Sequence, residues 1–593
     1  MERDVEMPVV PTHQAALAEE HEPETHLETT WPEYSARHMR LSWAQASILA
    51  AAIVGTGLLG MLGGWQAALN AWAAAVTVIG ALLVGGRVWF TWQGWRWAQA
   101  TPTAPEDVTG DSGDPAPMTA LNGALPAYTV LIPIFREKES VIVALVRSLE
   151  ALEYPRDRLQ GLLLLEADDR ETLDAVQRTQ RPDWLEAVVL PPGGPRTKPR
   201  ALCHGLARAR GEFVTVYDAE DRPEPDQLLA AATTFMAKPD CACLQARLEY
   251  YNSRQNLLTR WFAIEYDAWF KFLLPGVARA GGPIPLAGTS NHFRVSVLRA
   301  VGGWDPYNVT EDADLGVRLA RMGHRVELLD SSTGEEANSR LRNWVGQRSR
   351  WMKGFMVTLL VHTRNPRRLR REIGTRRTCL LLWALGGPAF LCLTLPLGIA
   401  LLAVWILAKP GWESAAYSGL TYYLGMATIV FGGFLIIYGG LAIAAARRDG
   451  ESALPTLVIP IYWLAMSAAT YAAAFEFLRR PHHWYRTEHG HTRLSGDPSR
   501  NGAGSGGRRL IASLAPTADG ESAISLSSGS VIDRARSQRR ARSATWRRIA
   551  LPALAIGVLD FAFSQWLRSR GMEWGDAMSR QMNAVLVFYG SDP

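Results

Sequence analysis

The chain has 593 residues, of which 48% are hydrophobic and 20% charged, and its formal net charge is +5. This length leaves room for several domains, and the apolar content is high for a wholly water-soluble protein of this size. Five scattered cysteines predict neither a disulfide framework nor a zinc site. Cys241 and Cys243 are instead expected in a buried strand, as reduced thiols.

The N-terminal part of the chain predicts a cytoplasmic segment followed by a membrane hairpin. Residues 1–40 are polar, rich in acids and lack the pattern of a cleavable signal. Residues 41–97 contain two apolar runs that approach the roughly 20 residues needed to cross hydrocarbon, which predicts two transmembrane helices. Arginines flank this pair on both outer sides, so the positive-inside rule places both ends in the cytoplasm. Residues 98–126, rich in Pro, Gly, Asp and Thr, are predicted to be a linker.

Residues 127–363 predict a cytoplasmic α/β domain. Short apolar strands alternate with helical patterns, an order typical of a mostly parallel sheet with helices on both faces and ligands at the carboxyl ends of its strands. The predicted strands are Tyr128–Ile134, Gly161–Glu166, Ala187–Leu190 and Glu212–Tyr217. The predicted helices are Lys138–Leu152, Glu171–Gln180, Arg200–Arg208 and Pro225–Ala237.

The C-terminal part predicts further membrane helices and a polar tail. Residues 364–478 begin with a basic juxtamembrane segment and continue with apolar runs at Cys379–Leu407 and Gly419–Ala446. Leu454–Leu478 is either another crossing or an interfacial helix, and the charge rule favours the interfacial placement because it keeps the following arginines in the cytoplasm. A polar loop follows at 479–492, a disordered basic tail at 493–548, and an additional transmembrane or amphipathic helix at 549–593.

An acidic cluster follows the fourth predicted strand. Asp218-Ala219-Glu220-Asp221 emerges at the carboxyl edge of the sheet, where carboxylate oxygens are suitable ligands for Mg²⁺ or Mn²⁺ bound to a diphosphate. The pattern therefore predicts a metal site at Asp218 and Glu220. The alternative is a solvated acidic turn without a ligand.

Other charged residues end the neighbouring strands. Glu137 follows the first strand, and Asp168 and Asp169 follow the second, so all three are expected at the same edge. A carboxylate there can accept hydrogen bonds from a base or ribose, and Lys198 can approach a phosphate. Taken singly, each residue also fits an ordinary charge at a strand end.

Two later motifs carry groups suited to sugar chemistry. Thr310-Glu311-Asp312 supplies a carboxylate able to take a proton from a sugar hydroxyl. Gln347-Arg348-Ser349-Arg350-Trp351 supplies a cation and an indole able to hold a sugar ring.

In this order, the motifs resemble those of membrane-embedded glycosyltransferase family 2, the group that contains bacterial cellulose and hyaluronan synthases. The resemblance covers about residues 40–490, and the sequences around Asp218 and Thr310 look closest to the XagB-type exopolysaccharide branch. It implies a nucleotide-sugar-binding, GT-A-like domain inserted between transmembrane helices of a bacterial inner membrane. The departure is Glu220, where the family's metal motif usually has Asp, so either Glu220 or Asp221 reaches the cation.

The resemblance also implies residue roles. Asp312 would be the catalytic base, with Glu311 beside it, and the metal would bind at Asp218 and Glu220. The donor would contact Glu137, Asp168, Asp169, Lys198 and Asp218. The acceptor would contact Gln347, Arg350 and Trp351. Residues 479–492, around Trp484, resemble in position a gating loop over the nucleotide.

Together these features predict an inverting, Mg²⁺- or Mn²⁺-dependent hexosyltransferase that extends an exopolysaccharide processively. Its expected partners are a nucleotide-diphosphate sugar, a polysaccharide or lipid-linked acceptor, membrane lipids and polysaccharide export partners, but no nucleic acid. The alternatives are a non-processive transferase that loads a lipid carrier and a catalytically silent scaffold of polysaccharide assembly.

Overall fold

The computed structural model describes residues 26–100, 125–408, 420–428 and 458–485, with the single positions 432, 439 and 455. All of them belong to one compact unit. Several sequence predictions lie outside the described residues: most of the linker, most of the apolar run Gly419–Ala446, the end of the polar loop after Tyr485, the basic tail, and the segment 549–593.

The domain is built on an eight-stranded mixed sheet with the order β3-β2-β1-β4-β7-β6-β8-β5. Four strand pairs are parallel (β1–β2, β1–β4, β2–β3 and β6–β8) and three are antiparallel (β4–β7, β6–β7 and β5–β8). The strands are β1 Tyr128–Ile134, β2 Leu159–Glu166, β3 Leu185–Leu190, β4 Phe213–Val216, β5 Arg222–Pro223, β6 Cys241–Tyr250, β7 Asn291–Arg294 and β8 Arg325–Glu335. The predicted α/β class and its four strands, β1 to β4, are confirmed, and the strands β5 to β8 add to them.

Helices cover the sheet and connect it to the apolar segments. In chain order they are α1 His26–Thr30, α2 Trp43–Ala100, α3 Glu139–Glu150, α4 Arg170–Arg178, α5 Lys198–Arg208, α6 Gln227–Ala237, α7 Leu257–Ala268, α8 Leu274–Arg279, α9 Val295–Ala300, α10 Glu311–Arg321, α11 Leu341–His362, α12 Pro366–Leu381, α13 Gly387–Ala408, α14 Leu420–Ala427 and α15 Ile459–Arg479. One turn of π-helix joins α7 to α8 and another joins α12 to α13.

The sheet is buried on both faces, as its continuous apolar strands predict. One hydrophobic cluster packs α3, α4 and α6 against one face, and a second packs α5, α9 and α10 against the other. Because β1, β2 and β4 run parallel, their carboxyl ends meet at one edge. This edge carries the acidic residues that follow each strand. Cys241 and Cys243 are free, buried thiols of β6.

The first apolar segment forms a hairpin that turns at Gly64. Gly64 has φ 75° and ψ 166°, which interrupts α2 with a backbone conformation that suits glycine. Trp72 lies eight positions after Gly64 and Thr56 eight positions before it, and Trp72 Nε1 donates to Thr56 Oγ1 at 3.0 Å. The two arms therefore run side by side, as two transmembrane helices would.

Three described helical regions are long and apolar enough to cross a membrane: Trp43–Trp97, Pro366–Leu401 and Ile459–Arg479. The last is a continuous helix of 21 residues. Its length and composition would allow the crossing that the charge rule disfavours. Gly374, at φ 80°, kinks α12 within its basic part, since Arg376 and Arg377 follow it before the apolar residues begin.

Candidate active site

A cavity of about 1240 Å³ begins at the carboxyl edge of the sheet and continues between the apolar helices. Predicted site residues from distant parts of the chain line it. They are Glu137, Lys198, Asp218, Glu220, Glu311, Asp312, Gln347, Arg350 and Trp351. The structure therefore brings together most of the residues that the sequence singled out.

Several predicted site residues lie around the backbone of Gly288, which lines the cavity. Lys198 Nζ donates to the Gly288 carbonyl at 2.7 Å and also forms an ion pair with Asp218. A Cβ atom at Gly288 would lie 3.4 Å from Asp312 Oδ2 and 3.7 Å from Lys198 Nζ. The predicted metal ligand, phosphate-binding lysine and catalytic base thus surround one point.

Glu311 and Asp312 occupy the first turn of α10. Burial and the neighbouring charge of Asp312 raise the pKa of Glu311 to about 8. Burial also raises the pKa of Asp312, while the Ala313 backbone N–H and the charges of Arg350 and Lys198 oppose that rise. A carboxylate with a raised pKa, poised in a cavity, is suited to accept a proton.

Asp314, the third acid of this turn, serves the fold. It forms an ion pair with Arg318 at 2.8 Å, and His362 Nε2 lies 2.9 Å from its other oxygen. Its side chain is fully buried and does not line the cavity. Of the carboxylates on α10, this leaves Glu311 and Asp312 in position for chemistry.

The acidic cluster after β4 divides between the cavity and the core. Asp218 and Glu220 line the cavity, whereas Asp221 is buried, and its Oδ2 accepts from the Asp218 backbone N–H at 2.8 Å and from the Thr289 hydroxyl. Glu220 rather than Asp221 is therefore placed for a bound cation. Glu335, at the end of β8, also lines the cavity and was missed by the sequence analysis.

These carboxylates fit a divalent cation. Burial and then the charges of Asp221, Asp218 and Glu220 raise the pKa of Glu335 well above its ordinary value. A cation would relieve this repulsion, and carboxylate oxygens are the ligands that Mg²⁺ and Mn²⁺ prefer. Within the described part of the chain, no group of three or more His, Cys, Asp or Glu side chains forms a complete metal site. Diphosphate and water oxygens would have to complete the coordination, as is usual for Mg²⁺.

The predicted donor contacts are not all in the cavity. Glu137 and Lys198 line it, but Asp168 and Asp169 do not. Asp168 instead pairs with Arg196 at 2.6 Å, and Arg196 reaches the cavity wall. Asp169 caps α4 and accepts from the backbone N–H of Arg136.

Arg136 itself has a φ of 55°, a strained conformation for a residue with a side chain. The Asp169 carboxylate accepts its N–H at 2.5 Å. Asp169 thus stabilises the loop after β1 that carries Glu137. Asp168 is held by Arg196, which lines the cavity in its place.

Helix α11 brings the predicted acceptor residues to the cavity. Gly354 lets α11 approach Thr310, because a Cβ at this position would lie 2.2 Å from the Thr310 side chain. Arg350 Nη1 donates to the carbonyl of Val309 at 3.0 Å, and its guanidinium stacks 4.7 Å from the Trp484 ring centre. Trp351 meets the ring of Phe262 edge-on at 5.9 Å.

A buried cluster around Arg348 supports this helix and was not predicted. Arg348 donates to Tyr462 Oη at 2.7 Å and pairs with Glu265, which also accepts from Tyr462 at 2.5 Å. Its guanidinium stacks on the rings of Phe262 and Trp351, at 4.2 and 4.6 Å. In the sequence, only the position of Arg348 between Gln347 and Arg350 pointed to such a cluster. Its partners Glu265 and Tyr462 lie far away along the chain.

The far half of the cavity is walled by the apolar helices. Most of the residues that line it there are aliphatic or small, with a few hydroxyls. They include Val76, Thr77, Gly80, Val84, Leu391, Thr394, Leu395, Gly398, Ile399, Leu401 and Met466. This half of the cavity is therefore largely apolar.

Part of the chain that carries these residues is similar to known proteins. Residues 213–443 match the family model "Glycosyl transferase family group 2". The "Probable glycosyltransferase YdaM" of Bacillus subtilis is 28% identical over 240 residues, covering 40% of this chain and 57% of the relative. The "Beta-monoglucosyldiacylglycerol synthase" of Synechocystis is 30% identical over 285 residues, covering 45% and 56%.

A plant enzyme and a solved structure are also similar. The "Glucomannan 4-beta-mannosyltransferase 2" of Arabidopsis thaliana is 29% identical over 238 residues, covering 39% of this chain and 44% of the relative. The solved mannosyltransferase PcManGT from Pyrobaculum calidifontis, in complex with GDP-Man and Mn²⁺, is 20% identical, covers 69% of this chain and 99% of that chain, and has a TM-score of 0.43. This chain spans about half the length of the curated relatives it matches. The similarity to glycosyl transferase family group 2 thus extends over residues 213–443.

Proposed function

We propose that this protein is a membrane-bound, inverting, metal-dependent glycosyltransferase that uses a nucleotide-diphosphate sugar. The observation that carries the proposal is the convergence of Asp218, Lys198 and Asp312 around Gly288 in one cavity. Carboxylates for a cation, an ammonium for phosphate and a base for a hydroxyl are the groups that sugar transfer needs.

In the proposed reaction, an acceptor hydroxyl oxygen attacks the anomeric carbon of the donor sugar. Its proton passes to the Asp312 carboxylate, and the bond between the anomeric carbon and the diphosphate oxygen breaks, leaving its electron pair on the nucleoside diphosphate. One displacement inverts the anomeric configuration. Lys198 binds the diphosphate, and Asp218 and Glu220 would hold a cation that neutralises the charge of the leaving group.

Processive extension of an exopolysaccharide is the leading form of this activity. Gln347, Arg350 and Trp351 line the cavity beside Asp312, where an indole can stack on the last sugar of a chain. The cavity then continues between helices that are able to span a membrane. With the flanking arginines on the cytoplasmic side, the domain would face the cytoplasm of a bacterial inner membrane.

A second candidate is transfer of a single sugar to a lipid acceptor. The aliphatic wall of the far cavity favours it, because such a wall suits a hydrocarbon chain. The name of the Synechocystis relative also includes a diacylglycerol product. A catalytically silent scaffold is disfavoured by the presence of Asp218, Glu220 and Asp312 in one cavity.

The test is transfer by purified protein in lipid nanodiscs, supplied with Mn²⁺ and a panel of nucleotide sugars. Products are separated by size and by extraction into organic solvent. A long polymer supports processive extension, and a singly glycosylated lipid supports the second candidate. No transfer from any donor would contradict both.

A further inference from the structure

An arginine within the apolar hairpin lines the same cavity. Arg87 lies in the second arm of α2, one turn from Leu83, whose carbonyl accepts from Trp383, and one turn from Phe90, which packs against Gly276. Arg87 therefore lies where the hairpin meets the helices that connect to the α/β domain. An arginine that only flanks a membrane span reaches the lipid headgroups, but Arg87 points into the cavity instead.

Around Arg87, positively charged side chains outnumber negatively charged ones. Glu265 is the neighbour whose charge acts on Arg87, and no hydrogen bond or ion pair joins Arg87 to another residue in the described ranges. Glu265 is already bound by Arg348 and Tyr462. Among the described residues, two guanidiniums thus share one carboxylate. A site of this kind, screened from water by apolar helices, attracts an anion.

The wall beyond Arg87 is suited to a hydrocarbon chain. Val84, Gly80 and Val76 continue the same arm away from the α/β domain, and all three line the cavity. Val76 lies eleven positions before Arg87, which corresponds to about 16 Å along a helix. Leu391, Leu395 and Ile399 of α13 line the cavity as well.

We propose that this cavity binds an acceptor made of a sugar joined through phosphate or diphosphate to a hydrocarbon chain. The phosphate lies against Arg87, the hydrocarbon follows the aliphatic wall, and the sugar hydroxyl faces Asp312. The inference rests on the proposed sugar transfer and names the class of its first acceptor. It applies whether that acceptor receives one sugar or starts a polymer.

Binding of farnesyl diphosphate tests the proposal directly. Two compounds serve as matches: farnesol, which has the hydrocarbon chain but no charge, and inorganic diphosphate, which has the charge but no chain. The protein is held in nanodiscs of neutral lipid with Mn²⁺ and saturating UDP or GDP, so that the donor diphosphate site is filled. Affinities are measured for the parent and for Arg87→Gln, Arg87→Lys and Arg96→Gln. Arg96 is the matched control because it lies on the same arm, is exposed and stacks on Trp92.

The parent is expected to bind farnesyl diphosphate at least about tenfold more tightly than either match, since a charge-assisted hydrogen bond contributes that much or more. Arg87→Gln loses this preference, Arg87→Lys keeps most of it, and Arg96→Gln behaves as the parent. Equal affinity for farnesol would overturn the anionic subsite, and equal affinity for inorganic diphosphate would overturn the lipid-linked acceptor. Unchanged binding in both Arg87 variants would overturn the role of Arg87.

Sugar transfer by the parent, measured separately, distinguishes the two proposals. Arg87-dependent binding in a protein that transfers no sugar would leave the subsite standing and remove the proposed function. Transfer to other acceptors, with farnesyl diphosphate binding independent of Arg87, would remove the subsite alone. Elution as one folded species by gel filtration confirms that each variant is intact.

Discussion

Lys198 and Asp312 face one another across Gly288, where a single added Cβ would lie 3.7 Å from the lysine nitrogen and 3.4 Å from the aspartate oxygen. The lysine comes from the start of α5 and the aspartate from the first turn of α10. The ammonium that would bind the donor phosphate is thus held beside the carboxylate that would activate the acceptor.

Asp312→Asn should lower transfer by about 10²-fold or more, because the amide keeps the shape but cannot take the acceptor proton. Nucleotide affinity should change little. The check is the initial rate measured beside calorimetric binding of the nucleoside diphosphate, with Asp226→Asn, at the exposed residue that precedes α6, as a control. Undiminished rates in Asp312→Asn would transfer the role of base to Glu311.

Removal of divalent cation, or Asp218→Ala, should abolish transfer while the protein stays folded, since an uncompensated diphosphate is a poor leaving group. Activity of the parent is measured in EDTA and after adding back Mg²⁺ or Mn²⁺. Asp221→Asn is a structural comparison, because Asp221 is bound to Thr289 and to the Asp218 backbone rather than exposed to the cavity. Full turnover in chelator would remove the metal from the mechanism.

Arg350→Ala should move the acid limb of the pH–rate profile to higher pH. The positive charge of Arg350 favours the carboxylate form of Asp312 and holds its pKa down, so its loss raises that pKa. Arg350→Lys keeps the charge and should restore the limb. A profile unchanged in the alanine variant would show that Asp312 does not control that limb.

Trp351→Ala should shorten the product more than it weakens donor binding, because the indole would hold the last sugar of the acceptor near Asp312. Small misplacements of a reacting group cost about 10²-fold in rate. Trp351→Phe keeps an aromatic face and should retain longer products. Polymer of normal length at the normal rate in Trp351→Ala would contradict processive extension through this residue.

Arg348→Ala should destabilise the protein by about 3 kcal/mol, because it leaves Glu265 and Tyr462 without their buried cation. The measurement is thermal unfolding in detergent. Arg342→Ala, at an exposed position of the same helix, is the control and should change stability little. Equal melting of the two variants would show that the Arg348 cluster contributes no net stability.

The α/β class was readable from local pattern. The strands Tyr128–Ile134 and Phe213–Val216 are continuous apolar runs, and the acids that follow each of them must emerge where parallel strands end. The hairpin at Gly64 was also readable, because two apolar runs of membrane length are separated by an uncharged connection. Such features depend on residues that are close together in the chain.

Only the tertiary structure shows which acidic residues line the cavity and which stabilise the fold. Sequence could not separate Glu220 from Asp221, and only the approach of Thr289 shows that Asp221 is buried. Nor could it show that Asp169 caps α4 and supports the backbone of Arg136. In each case the deciding partner comes from another strand or loop.

The chain by itself therefore determined β1 to β4, the helices α3 to α6 and the edge of the sheet at which the acidic residues lie, because the period of apolar residues and the polarity at strand ends are local properties. The tertiary structure alone decided which carboxylates face the cavity, that Glu335 joins them, and that Glu265, Arg348 and Tyr462 form one cluster. Those three residues are separated by 83 and 114 positions along the chain. Contacts of this kind follow from how the sheet, α7, α11 and α15 pack together, and no local pattern encodes them.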